Sequence, residues 1–241
     1  LYITTRQTNI AERLIMKTIY KTKGKAKEYG EMALNAYTGC THKCTYCYAP
    51  SVTHKTDEIF HTEVEAREGI IDATKAYLRN SKIKDTEIFL CFTCDPFPIG
   101  VSNNVTYELI KLIKESGNSV AILTKGRPTK ELFAMLDSDD RFGVTIACGS
   151  EMMKELEPNA STYEERISFL KLAKLNNIPT FVSFEPVFEP EAVYELIKSS
   201  DFIDDFRIGK LNYVESNVNW KDFGFNCVQL CEEYKRNYKI K

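Results

Sequence analysis

Short apolar runs alternate with amphipathic stretches along this chain. Glu87-Ile-Phe-Leu-Cys-Phe92, Ser119-Val-Ala-Ile-Leu-Thr124, Phe142-Gly-Val-Thr-Ile-Ala147, Thr180-Phe-Val-Ser-Phe184 and Phe206-Arg-Ile-Gly209 read as buried strands, with a further strand near Ala33 to Tyr37. Helices are expected between them. Val105, Leu109, Leu112 and Ile113 fall at helical spacing on one face, and Gly117 closes that segment as a C-terminal cap. A second helix is expected over about Thr62 to Leu78. Ser161-Thr-Tyr-Glu164 reads as a capping box ahead of an apolar face at Ile167, Leu170 and Ala173. The βα order recurs roughly six times, which predicts a parallel sheet, either doubly wound or curled into a full or partial barrel. In both geometries function collects at the C-terminal ends of the strands. No internal repeat and no Pro/Gly-rich joint divides the chain, so residues 1–30 read as a leader, 31–212 as the barrel and 213–241 as a helical extension of the same domain. The first residue is Leu, and Met16-Lys17 offers an internal start; a fragment boundary and a non-ATG start both account for the leader.

Composition narrows the class without naming a chemistry. With 43% hydrophobic and 27% charged residues, the chain is neither a disordered tail nor a collagen-like repeat. A net charge of −2 supplies no global positive field toward nucleic acid or anionic membrane. No apolar run approaches the ~20 residues that span a bilayer, and the N-terminal stretch lacks a signal peptide's apolar core, so the expected location is the cytoplasm. The irregularity is eight cysteines, at positions 40, 44, 47, 91, 94, 148, 227 and 231. Their uneven spread in a chain of this length argues against a disulfide framework.

Three of them form Cys40-Thr-His-Lys-Cys44-Thr-Tyr-Cys47, a C-x3-C-x2-C loop directly after the first expected strand. Three thiolates so close on one loop can ligate three irons of a cubic iron–sulfur cluster, leaving the fourth iron open as a reaction site. A structural zinc held by the same thiolates and His42 is the competing account. His42 stands two residues from both Cys40 and Cys44, where reaching the same ion is sterically awkward.

The loop resembles the radical S-adenosylmethionine (SAM) signature, with Tyr46 as the aromatic before the last Cys. The resemblance implies a partial (β/α)6 TIM-type barrel, a 4Fe–4S cluster on Cys40, Cys44 and Cys47, and S-adenosylmethionine on the open iron. It further implies reductive cleavage to methionine and a 5′-deoxyadenosyl radical that abstracts hydrogen from a substrate, with electrons from a flavodoxin- or ferredoxin-type donor. Within that superfamily the chain is most similar to spore photoproduct lyase and its relatives. Asn35-Ala-Tyr-Thr-Gly-Cys40, Tyr48-Ala-Pro50, Ile122-Leu-Thr-Lys125, Leu156-Glu-Pro158 and Glu165-Arg166 carry the likeness, over about Asn35 to Pro186. Tyr46 is then expected against the adenine. Thr93, Cys94 and Asp95 stand where many members carry the Gly-Gly-Glu element that holds the methionine amino group. Lys125 matches a lysine that pairs with the methionine carboxylate, and Thr145 a hydroxyl near the same moiety. Arg166 is either a second carboxylate partner or a helix-surface Arg paired with Glu. Tyr48 matches a tyrosine of the lyases' hydrogen relay. The lyases' hydrogen-donating Cys is replaced here by Phe92, flanked by Cys91 and Cys94, so Cys94 is the candidate to take over. The substrate is unidentified. Repair of a thymine lesion in DNA is the alternative that the resemblance suggests and the charge opposes, and a non-catalytic protein with structural iron–sulfur or zinc is a third.

Other residues carry weaker expectations. Glu185, ending the fifth strand, faces the cavity of a barrel and is assigned to ribose or substrate. Lys210 and Asn212 are placed either to touch substrate or in a solvated loop. Cys148 reads as a small buried thiol, and Cys227 and Cys231, at i and i+4, as one apolar helix face. His54 and His61 show no ligand pattern, and Lys21 to Lys27 reads as a solvated leader.

Overall fold

A computed structural model describes residues 18–211 and 216–241. Eight strands form one sheet in chain order: β1 (Ile19–Lys21), β2 (Met32–Leu34), β3 (Glu87–Leu90), β4 (Ser119–Thr124), β5 (Arg141–Thr145), β6 (Thr180–Phe184), β7 (Asp205–Ile208) and β8 (Asn237–Ile240). Only β1 pairs antiparallel, with β2; every later pair is parallel. Parallel neighbours require crossovers, and helices supply them. The main crossovers are α3 (Ile70–Ser81), α4 (Asn104–Glu115), α5 (Lys130–Met135), α7 (Tyr163–Leu175), α8 (Pro190–Ser199) and α9 (Trp220–Glu233). Shorter helices α1 (Ala49–Thr53), α2 (Asp57–Thr62) and α6 (Ser150–Leu156) lie in the loops above the sheet's C-terminal edge. The sheet is curled but unclosed, a partial TIM-type barrel in which β2 to β7 are the six expected parallel strands.

Strand alternation divides the apolar residues between two cores. Ile88, Leu90, Val120, Ile122, Phe142, Val144, Val182 and Phe184 face the helices, meeting Leu109, Ile110, Ile113 and Leu170. Ala33, Phe89, Ala121 and Phe181 face the barrel interior, where Tyr29 joins them. Small and large residues therefore interleave inside, and the lower lumen is filled. Guanidinium groups cover this aromatic plug: Arg141 lies 5.2 Å from the Phe181 ring centre and Arg207 5.2 Å from that of Tyr29. What remains open is the upper end, at the strand C-termini.

Several sequence boundaries shift for identifiable reasons. The helix expected over 62–78 starts only at Ile70, as α3, because α2 ends at Thr62 and Gly69 in the left-handed region (φ +64°) caps α3 there. The capping box of α7 begins one residue later, at Thr162, whose Oγ1 accepts from Glu165 N at 3.2 Å while Glu165 Oε2 accepts from Thr162 N at 2.8 Å. Ser161 is unavailable as the cap because its hydroxyl donates to the Lys125 carbonyl at 2.8 Å. The segment read as a leader carries β1 and a 3-10 turn (Gly24–Glu28); its lysines are exposed, yet Tyr29 is buried in the lumen. The helical extension ends instead in β8, which extends the sheet beside β7. Its pattern alternates exposed and half-buried positions, as an edge strand's does, and offers too few apolar residues to be read in sequence.

Candidate functional site

The cysteine loop leaves β2 at Asn35 and is fixed from both sides. On one side Cys40 N donates to Phe60 O at 3.1 Å, and His61 Nδ1 meets Cys40 O at 2.7 Å. On the other, Thr45 N donates to Leu156 O at 2.9 Å, Asn159 N to His42 O at 3.2 Å and Asn159 Nδ2 to Thr41 O at 3.1 Å. A long loop thus gains the partners its backbone needs away from the sheet. All three of its thiols are free, and all three line one cavity of about 520 Å³.

The opposite wall of that cavity is built from strand ends: Phe92, Cys94 and Asp95 after β3, Lys125 after β4, Glu185 and Pro186 after β6, and Lys210 and Leu211 after β7. Tyr46 and Tyr48 complete it. The Lys125 ammonium stands 5.4 Å from the centre of the Tyr46 ring. Burial works against its charge, but Cys44 and Glu157 outweigh that, so its proton is held more tightly than an ordinary lysine's. Burial pushes the thiols the other way, Cys44 up to about 12. Among the described residues, no three His, Cys, Asp or Glu side chains converge tightly enough to hold a single ion. Three free thiols of one loop that line one cavity are a donor set that fits a cubic cluster.

Asp95 is the knot of the strand-end wall. Its Oδ1 accepts from Phe97 N at 2.8 Å and from Thr124 Oγ1 at 2.5 Å, and its Oδ2 from Lys125 N at 2.8 Å. The buried His42 imidazole faces the same carboxylate at 3.7 Å and is held neutral by burial. Asp95 thus aims Lys125 as well as bordering the cavity. Gly126 makes that contact possible: a Cβ there would stand 1.8 Å from Phe97 O and 3.0 Å from Asp95 Oδ1. Gly126→Ala is accordingly expected to cost about 1–3 kcal/mol by forcing these backbones apart, read as a lower melting temperature. A variant that melts with the parent would remove Asp95 from this role.

The remaining sequence candidates sort by position. Cys94 lines the main cavity and, with Thr145, a smaller adjoining one; Cys91, almost wholly buried, lines the smaller cavity only. Phe92 lines both cavities, stacked on Phe89 with ring centres 4.3 Å apart. Beyond the end of β3, then, Phe92 and Cys94 share a cavity. Tyr48 Oη donates to Phe92 O at 2.5 Å, beside Cys94. Thr93 lines neither cavity; its N–H and that of Phe92 donate to Asn35 Oδ1 at 2.9 and 2.8 Å. Arg166 is neither on the helix surface nor at the cavity wall: it is fully buried, paired with Glu157, and donates from Nη1 to Thr145 O at 2.8 Å. Cys148, Cys227 and Cys231 are buried in the outer core, and His54 caps α1 in the left-handed region. His61, given no role by its sequence context, lies on the cavity wall. Asn212 lies outside the described residues.

Sequence reasoning missed Asn35 and Glu157 as site-builders. Glu157, 3% exposed, accepts the Tyr46 hydroxyl and raises that phenol's affinity for its proton beyond what burial does. Both lay in quoted stretches, but nothing in a one-dimensional pattern marks a carboxylate that will face a tyrosine more than a hundred positions away.

Comparison with known proteins gives a family and a fold. A family model described as the Radical SAM superfamily matches residues 34–202. Curated relatives include the uncharacterized protein Rv2578c of Mycobacterium tuberculosis and Mb2609c of Mycobacterium bovis, each 23% identical over 168 residues, 64% of this chain and 48% of the relative. The chain therefore spans about half the length of these relatives. Among solved structures, a spore photoproduct lyase variant with bound AdoMet and dinucleoside spore photoproduct matches 95% of this chain and 79% of its own at TM-score 0.66 and 14% identity. Methylornithine synthase matches 86% of this chain and 63% of its own at TM-score 0.57 and 14% identity. At such identity the likeness is one of fold.

Proposed function

The chain belongs to the radical SAM superfamily, and from that premise we propose that it is an enzyme that reductively cleaves S-adenosylmethionine and abstracts a hydrogen atom from an unidentified substrate. Cys40, Cys44 and Cys47 would hold the 4Fe–4S cluster. When bound, the cluster and S-adenosylmethionine supply the one-electron cleavage that yields methionine and a 5′-deoxyadenosyl radical, given an electron from a flavodoxin- or ferredoxin-type partner.

The chain's own residues bind, orient and exclude water. Lys125, aimed by Asp95 and kept charged, offers its ammonium to a carboxylate. Tyr46, its hydroxyl pinned on Glu157, presents a fixed ring face for adenine. Thr145 lines the smaller adjoining cavity, and Arg166, buried behind it, holds the Thr145 carbonyl. Cys94 carries a hydrogen atom at the cavity wall, and Tyr48, whose phenol is pushed up to about 12 by desolvation, stays protonated beside it. The observation that carries this reading is that three free thiols of one loop and the Lys125 ammonium line one cavity.

The test is anaerobic reconstitution with iron and sulfide. The expected outcome is a brown protein with about four irons per chain that releases 5′-deoxyadenosine from S-adenosylmethionine on reduction. Stoichiometric zinc with no nucleoside released would support the non-catalytic alternative instead. A second reading, repair of a thymine lesion, draws on the dinucleoside bound to the solved neighbour. Phe92 at the donor position counts against it. Turnover of thymine-lesion DNA by Phe92→Cys beside the parent separates the two, since a silent pair argues for another substrate.

A further inference from the structure

Two thiols outside the cysteine loop also meet. Cys91-Phe-Thr-Cys94 leaves the end of β3 with C-x2-C spacing, which can bring two thiols together over one bend of the chain. Here it does: both are free, both line the smaller cavity of about 200 Å³, and the Cys91 S–H donates to Cys94 Sγ. Their surroundings differ. Cys94 is half-buried and lines the main cavity as well, sharing both cavities with Lys125, whose ammonium is held charged. A partly exposed thiol beside a fixed cation is the reactive kind. Cys91 is 8% exposed and opens only to the smaller cavity, and burial together with the Cys94 contact tightens its hold on its proton. A reagent entering from solvent therefore meets Cys94 first, with Cys91 directly behind it. The other close pair outside the loop, Cys227 and Cys231 on α9, has no such access: both are 0% exposed and neither lines either cavity.

We propose that Cys91 and Cys94 form a dithiol–disulfide couple, in which Cys94 exchanges with small disulfides entering the main cavity and Cys91 resolves the adduct. In the first step Cys94 Sγ loses its proton and attacks one sulfur of the small disulfide, taking one half of it while the other half leaves as a thiolate. In the second, Cys91 Sγ loses its proton and attacks Cys94 Sγ, expelling the second half. The pair is oxidised by two electrons, the small disulfide is reduced by two, and the two protons end on the two released thiols. Because the thiols already touch, closing the bond asks the side chains to turn and not the strand end to move. One consequence rests on the enzymatic reading: the closed couple leaves Cys94 no S–H to give, so oxidation switches off hydrogen donation at the cavity wall while sparing the three loop thiols.

The experiment incubates the reconstituted protein anaerobically with excess oxidised glutathione, quenches it in acid, alkylates it after unfolding and weighs its tryptic peptides. The peptide of residues 85–111 carries Cys91 and Cys94 and no other cysteine, and that of residues 222–235 carries Cys227 and Cys231. The first is expected to lose two hydrogens and resist alkylation, and to be alkylated twice once dithiothreitol has reopened it; the second is expected to be alkylated twice throughout. Cys91→Ala is expected to stop with one glutathione on Cys94, and Cys94→Ala to leave Cys91 without glutathione. The comparison of the two peptides needs only the parent, so it decides the matter even where a variant fails to fold. A 85–111 peptide alkylated twice after the oxidant, a disulfide from Cys94 to a loop cysteine, equal closure of the 222–235 peptide, or a folded Cys91→Ala protein without glutathione would each overturn the proposal. No turnover is needed, so the masses remain readable if 5′-deoxyadenosine is never released. Conversely, nucleoside release from a protein whose pair stays unreactive would remove the couple and leave the enzymatic reading standing.

Discussion

Replacing Cys44 with Ala is expected to reduce bound iron from about four per chain to a small residue, and to abolish 5′-deoxyadenosine release entirely. The effect should be this large because the loop offers three thiols and no spare. His42 and His61 also border the cavity, but the His42 imidazole is buried facing Asp95 and His61 Nδ1 is held on Cys40 O, while the other cysteines belong to different walls or to the outer core. The fold should survive the change. The loop is anchored through backbone groups, Cys40 N to Phe60 O at 3.1 Å and Thr45 N to Leu156 O at 2.9 Å, and Cys44 is only partly buried. Melting of the metal-free variant is therefore expected within about 1 kcal/mol of the metal-free parent. Iron content, the visible absorption of the cluster and nucleoside release are the measurements. Unchanged iron would refute the ligand assignment, whereas lost iron together with a collapsed metal-free fold would show Cys44 to be structural.

That prediction rests on what a sequence displays well. The three cysteines are adjacent in the chain, and the chemistry that needs them is local, so spacing alone exposes it. The same holds for the buried strands: Ser119–Thr124 and Thr180–Phe184 match β4 and β6 residue for residue, because apolar runs between helices have little freedom to be anything else. Legibility fails where a residue's role is set by a distant partner. Arg166 reads either as a partner for the cofactor carboxylate or as a surface residue on a helix, yet it is buried where Glu157 and the Thr145 carbonyl meet it from other segments. Tyr29 reads as part of a leader, yet its ring plugs the lumen and its hydroxyl sets Glu185. Thr93 reads as a cofactor contact by resemblance, but the end of β3 turns its neighbours Phe92 and Cys94 to the cavity, whereas Thr93 does not line it. In each case the deciding partner lies on another element, from nine positions away for Glu157 and Arg166 to 156 for Tyr29 and Glu185.

Glu157 gives the largest expected effect on stability. Its carboxylate and the Arg166 guanidinium are both fully buried and paired, and Arg166 also reaches Thr145 O at 2.8 Å and Ser161 Oγ at 3.4 Å. Glu157→Ala would leave a guanidinium uncompensated in the interior, a loss of about 3–5 kcal/mol, and a fall in melting temperature of roughly 10 °C for a chain of this size. A buried pair is costly to break but often dispensable as a pair. The double variant Glu157→Leu with Arg166→Met, which removes both charges, is therefore expected to recover most of that stability. Recovery of binding should not follow. Tyr46 would still lack its acceptor, so S-adenosylmethionine should bind the double variant severalfold more weakly than the parent, while Glu157→Gln, which preserves an acceptor for the phenol, should bind it nearly as the parent does. Melting curves and S-adenosylmethionine titrations on the four proteins separate the roles. If stability and affinity return together in the double variant, Glu157 serves packing alone, and the fixed Tyr46 ring owes its orientation to Phe188, which packs on it at 5.4 Å between ring centres, rather than to the carboxylate.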